Sequence, residues 1–150
     1  FTPVIQEKLM EFGSVMKMHI IVDDDHNKIT SAIQKMLADG MDMVFCTGGM
    51  SVDPDDQTPL AIRNSGIHIV AYGAPVLPGA MFLLAYSDDG RPVVGLPGCV
   101  MYAKRTIFDL VLPALLVDVP ITAAQISALG EGGLCLNCAI CTFPNCGFGK

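Results

Sequence analysis

Asp42-Met43-Val44-Phe45-Cys46-Thr47-Gly48-Gly49-Met50-Ser51-Val52-Asp53-Pro54-Asp55-Asp56-Gln57-Thr58-Pro59 is the stretch that decides the fold. An apolar run, Met43 to Cys46, stops at Thr47-Gly48-Gly49, and a helical pattern resumes at Thr58-Pro59. The order is strand, glycine turn, helix start. Adjacent glycines let backbone N–H groups approach a ligand where a Cβ would collide, and a following helix adds partial positive charge. Open α/β sheets bind phosphorylated ligands at such corners, beyond the carboxyl end of a parallel strand. The alternative is a strand–helix turn with no ligand, since glycine pairs are common turn punctuation.

Outward from this corner the pattern alternates between strand and helix. Phe1 to Phe12 reads as a helix, with Pro3 near its start and Gly13 as its stop. Ser14 to Val22 reads as a strand that runs into Asp23-Asp24-Asp25. Those carboxylates suit a solvated loop and an N-cap for a helix over Lys28–Ala38, or alternatively a Mg²⁺ site at a strand end. Pro59–Ser65 predicts a short helix and Ile67–Ala71 a strand, with His68 a structural residue at its edge. Met81–Tyr86 and Arg91–Leu96 flank Ser87-Asp88-Asp89-Gly90, a hairpin signal. A helix over Val100–Leu116, ended or kinked by Pro113, a weaker one over Thr122–Leu129 and a flexible Gly132-Gly133 linker complete the series. The expected class is α/β: three layers, α/β/α, around a mostly parallel sheet with a β-hairpin.

The chain has 150 residues, 51% hydrophobic and 16% charged, which suits one domain whose strands are covered on both faces. No uncharged apolar stretch reaches the about 18 residues of a spanning helix, and no secretory signal opens the chain, so no membrane is expected. A net charge of −6 without a basic stripe argues against nucleic acid. Backbone N–H groups can still build a positive spot in an acidic protein.

Of six cysteines, Cys46 and Cys99 sit singly beside glycine loops and four crowd the C-terminus. That layout suggests a reducing cytoplasm rather than a secreted disulfide scaffold. Cys135-x-x-Cys138-x-x-Cys141-x-x-x-x-Cys146 can close around one metal. Three cysteines two residues apart echo bacterial ferredoxin runs, although the last gap differs and no proline follows Cys146. A four-cysteine Zn²⁺ site satisfies the spacing too, and redox or sulfur-relay thiols or an unstructured tail are the remaining readings.

Three motifs together carry a resemblance. Thr47-Gly48-Gly49-Met50-Ser51-Val52 with Asp56-x-Thr58-Pro59, Ile21-Val22-Asp23-Asp24-Asp25 with Ile29 and Ile33, and Val93-Val94-Gly95-Leu96-Pro97-Gly98-Cys99 occur in order. The chain from about Phe1 to Leu116 resembles the molybdopterin-binding domain family: molybdopterin adenylyltransferases, molybdopterin molybdotransferases and gephyrin. The expected organisation is an α/β domain of that kind over residues 1–130 with an added cysteine-rich tail over 131–150. The resemblance implies a role in molybdenum or tungsten cofactor assembly, with the pterin phosphate or the adenylylated pterin over Thr47, Gly48, Gly49, Met50 and Ser51. Thr58 and the loop Pro97, Gly98 and Cys99 would help bind it, and Asp56 and Asp24 would hold Mg²⁺ or orient the oxyanion as catalytic groups. Family members carry a strand ahead of the first helix, so the resemblance also implies that one is missing before Phe1; trimming at a natural boundary is the other reading. Relatives form dimers and trimers, so a homo-oligomer and molybdoenzyme or cofactor-assembly proteins are the implied partners, beside the pterin itself. Departures stand out as well. Ala80 replaces a lysine frequent after Pro-Gly in the family, Cys99 stands where asparagine is common, and Asp53 stands where glycine is. Lys104-Arg105 is read either as a replacement cation or as a solvated face.

A transferase of that kind, a non-catalytic pterin-binding or regulatory module, and an electron- or sulfur-transfer protein acting through the tail are the three functional readings.

Overall fold

The computed structural model describes residues 1–150. The elements are helices α1 (Thr2–Met10), α2 (His26–Ala38), α3 (Thr58–Asn64), α4 (Ile107–Leu116) and α5 (Ala123–Ala128), and strands β1 (Val44–Thr47), β2 (His68–Tyr72), β3 (Leu83–Tyr86) and β4 (Pro92–Leu96). The strands form one sheet in the order β1-β4-β3-β2. β1 pairs parallel with β4, and β3 lies antiparallel to both β4 and β2. β1, β2 and β4 therefore run in one direction, and β3 alone opposes them. The β3–β4 hairpin falls where Asp-Gly predicts it, with Gly90 at φ 84° and Ser87 N–H donating to Arg91 O at 2.9 Å.

Alternation along the strands builds two cores, one on each face of the sheet. Val44, Cys46, Leu83, Ala85 and Val93 face Ile33 of α2 and Ile62 of α3. Leu84, Val94 and Leu96 face α1, α4 and α5 through Ile5, Leu9, Phe108, Leu112 and Ile126. This is the expected α/β/α layering. Gly95 in β4 leaves room for the Met50 side chain, whose Cε would lie 2.6 Å from a Cβ there.

Three expectations are corrected. Ser14–Val22 forms neither strand nor helix. Its residues alternate between half-buried and exposed from Ser14 to Ile21, yet β1 remains the sheet edge, with a cleft between the two. Alternation fits a segment for pairing; only a neighbour within about 5 Å makes it a strand.

The helix expected over Val100–Leu116 is divided. A 3₁₀ turn over Gly98–Met101 comes first, and α4 starts after Thr106, whose hydroxyl caps Phe108 N–H while Asp109 caps the Thr106 N–H. Pro113 lies inside α4 without ending it.

The glycines before the tail form a close contact instead of a loose linker. A Cβ on Gly132 would stand 2.0 Å from Gly147 O, and Leu77 N–H donates to Gly133 O at 2.6 Å. The tail packs onto the domain, with Phe148 only 3% exposed within the α4 core.

One buried ion pair ties the N- and C-terminal halves of the chain. Asp109 Oδ1 accepts from Lys8 Nζ at 2.5 Å and from Arg105 Nη1 at 2.9 Å, and its Oδ2 accepts from Thr106 N–H at 2.8 Å. Each oxygen of this buried carboxylate is thus satisfied, which is the condition for burying a charge.

No helix is long and apolar enough to cross a membrane.

Candidate functional site

The parallel β1–β4 pair sets the site. Thr47 is in register with Leu96, so the loop after β1 and the loop after β4 leave the same end of the sheet side by side. Gly48 and Gly49 adopt φ values of 80° and 55°, the left-handed region that a Cβ disfavours. Thr47 is exposed. The amides of Gly48, Gly49 and Met50 donate to no group in the protein, whereas Ser51 N–H gives a 2.6 Å bond to Asp56 Oδ2. Successive unpaired N–H groups in a turn are the donors from which anion-binding concavities are built.

Side chains brace the turn from below and behind. Thr58 Oγ1 donates to Gly48 O at 2.8 Å, at the start of α3. Asp56 Oδ2 also accepts from Ser51 Oγ at 2.8 Å, and Ser51 Oγ accepts from Asp53 N–H at 3.2 Å. Asp56, distant by five residues, thereby closes the loop on itself. Asp53 turns its Oδ1 away to Asp55 N–H at 3.0 Å. Met50 reaches inward and is 3% exposed, serving as a core residue whose amide alone belongs to the site.

The acidic run divides its work. Asp25 caps α2, accepting from Asn27 N–H at 2.8 Å and Lys28 N–H at 3.1 Å. Those backbone bonds, Lys28 first, hold its carboxyl below the usual range. Asp23 pairs with Lys28. Asp24 makes neither kind of bond, and its Oδ1 lies 3.3 Å from where a Cβ on Gly49 would be. Gly49 is thus required both by its φ and by the approach of Asp24 and Thr58.

A cleft of about 940 Å³ opens from this corner along the free edge of β1. Thr47, Gly48, Gly49, Thr58 and Asp24 line one end, and Ser14–Val22 forms the opposite wall. Lys17 and His19 face it as well, two groups that the sequence reading did not single out. The signal available was their place on the exposed phase of the alternating segment. Ser51, Asp56, Pro97, Gly98 and Cys99 lie outside the cleft.

Gly98 in the second loop is exposed, and Cys99 is half-buried, its thiol pushed up by burial against the opposing pull of its own and the Val100 N–H. The Pro78-Gly79 turn sits at this end of the sheet but packs against α4, with Ile107 N–H donating to Pro78 O at 3.1 Å. Lys104 and Arg105 do not replace the lysine absent at Ala80. They line a different cavity, with the tail cysteines, where Arg105 stacks 4.8 Å over Phe143. No three His, Cys, Asp or Glu side chains converge as they would on a single metal ion.

Residues 1–117 match a family model described as a probable molybdopterin binding domain. The chain belongs to this family. Two curated proteins named molybdopterin molybdenumtransferase, from two strains of Staphylococcus epidermidis, are each 25% identical over 115 residues, covering 72% of this chain and 27% of the relative. The molybdopterin-binding domain here thus spans about a quarter of the length of those relatives. Its matched span ends just beyond α4, leaving α5 and the cysteine-rich tail outside.

Proposed function

We propose that this molybdopterin-binding domain seats the phosphate of molybdopterin, or of its adenylylated form, on the Gly48–Met50 amides during assembly of the molybdenum or tungsten cofactor. The observation that carries the reading is the run of three unpaired N–H groups at the carboxyl end of β1. A net charge of −6 does not oppose it, because the seat is made of backbone dipoles held in place before any ligand arrives.

Two carboxylates border the seat and suit Mg²⁺, which takes oxygen ligands, retains several waters and needs only one or two carboxylates beside a phosphate. Asp56 leaves Oδ1 free while Oδ2 serves Ser51, and the Asp24 carboxylate makes no other bond. Either would hold the ion beside the phosphate, and its charge would offset that of the phosphate. The protein's own part is placement: Thr58 and Asp56 fix the turn, Gly49 lets Asp24 approach, and the Pro97–Cys99 loop flanks the ligand from β4. Any catalysis at this seat consists of positioning and charge stabilisation.

Molybdopterin titrated into the protein, with and without adenylate and Mg²⁺ and followed by pterin fluorescence, tests this. Saturable binding that Gly49→Ala weakens is expected. Unchanged binding in a Gly49→Ala chain that circular dichroism shows to be folded refutes the seat. A binding-only module is the second reading, in keeping with a seat built from backbone amides; it predicts pterin binding with no metal insertion upon adding molybdate.

A further inference from the structure

We propose that the C-terminal tail forms a site for a [4Fe–4S] cluster, held by the thiolates of Cys135, Cys138, Cys141 and Cys146. The tail is a closed knuckle. Leu134 bridges to Leu77, Cys135 N–H donates to Leu77 O at 2.8 Å, and Gly149 N–H returns to Gly132 O at 2.6 Å. Phe148 anchors its far end in the core, and Gly149 lies so close to Leu110 that a Cβ would stand 2.4 Å from its Cδ1.

An open pocket of about 100 Å³ lies on this knuckle, and all four tail cysteines line it, Cys135 half-buried and the other three exposed. All four are free thiols. Zinc held by four sulfurs at about 2.3 Å leaves no space between them. Here all four thiols line a single cavity. A cubane cluster asks for that arrangement, because each thiolate grips a different iron at a separate corner. The spacing of the first three cysteines agrees with it.

Charge and polarity match too. Four thiolates around a [4Fe–4S]²⁺ core leave a net negative charge, and Lys104 and Arg105 line the same cavity. Leu134, Leu136, Phe143 and Phe148 supply the apolar remainder of the wall. Arg105 is fixed there from the other side by Asp109 at 2.9 Å, so the cation is positioned before any cluster forms.

The test is anaerobic reconstitution of the full chain with ferrous iron and sulfide. About four iron and four acid-labile sulfides per chain are expected, with visible absorption that dithionite bleaches. Cys138→Ser or Cys141→Ser should remove most of that iron, while Cys99→Ser retains it. If a tail variant fails to fold, as judged by circular dichroism, protection of the four tail thiols from alkylation in the loaded wild-type chain gives the same answer. One tightly bound zinc per chain with no iron uptake, or iron that Cys99→Ser removes equally, overturns the cluster.

Discussion

Asp56 holds the anion loop in shape through two bonds from one residue, to Ser51 N–H at 2.6 Å and Ser51 Oγ at 2.8 Å. Asp56→Asn retains an acceptor oxygen but loses the charge; Asp56→Ala loses both. A hydrogen bond to a carboxylate contributes about 1.5–3 kcal/mol where buried, and less at an exposed loop such as this. Discounting the pair to about 1.4 kcal/mol in total gives a tenfold change in any equilibrium that requires the loop to be ordered. In pterin-fluorescence titrations without Mg²⁺, Asp56→Ala should therefore bind about tenfold more weakly, and Asp56→Asn about as well as the wild type. With Mg²⁺, the wild type should gain affinity and both variants should lose most of that gain, because the free Oδ1 no longer carries charge. Thermal stability should hardly move, since the bonds lie at the surface. An Asp56→Ala chain with wild-type affinity and wild-type Mg²⁺ dependence would refute the reasoning.

Two other perturbations read the scaffold. Asp109→Ala strands Lys8 and Arg105 beside a buried cap, and breaking such a pair costs about 3–5 kcal/mol. At about 2–4 °C per kcal/mol for a chain of this size, calorimetry should show a melting point lower by roughly 10 °C. Asp89 is held at about 2 by the Arg91 guanidinium and the Ser87 hydroxyl, below its ordinary 3.8. A depressed folded value means that its contribution to stability is complete above about pH 4 and disappears as pH falls through about 2. A carboxyl NMR titration should find the low midpoint in the wild type and a return toward 3.8 in Arg91→Gln.

The corner at Thr47-Gly48-Gly49 was legible because glycine is the residue that takes up positive φ at no steric cost, and the hairpin because Asp-Gly suits a tight turn between strands. The family followed from three ordered motifs and is borne out by the match over residues 1–117. What sequence missed depends on neighbours. The alternation of Ser14–Ile21 is present in the exposure pattern, but pairing requires a strand beside it. The Thr106-x-x-Asp109 capping box was hidden within an apolar run that looked like one helix, although it is a readable signal. Gly132-Gly133 reads as looseness from composition alone, whereas here the missing side chains permit contact with Gly147. Lys104-Arg105 has a charge that sequence can count and a destination, the tail, that it cannot.

The position of β1 at the sheet edge has a consequence for how this chain tolerates change. A parallel ladder uses alternate residues for each side, so half of the peptide groups of Val44–Thr47 point away from β4 and into the cleft. The language spoken along that wall is one of main-chain dipoles, the same at every residue type except proline. Side chains there can drift through evolution, provided the sheet stays intact, without altering what the wall offers a visitor.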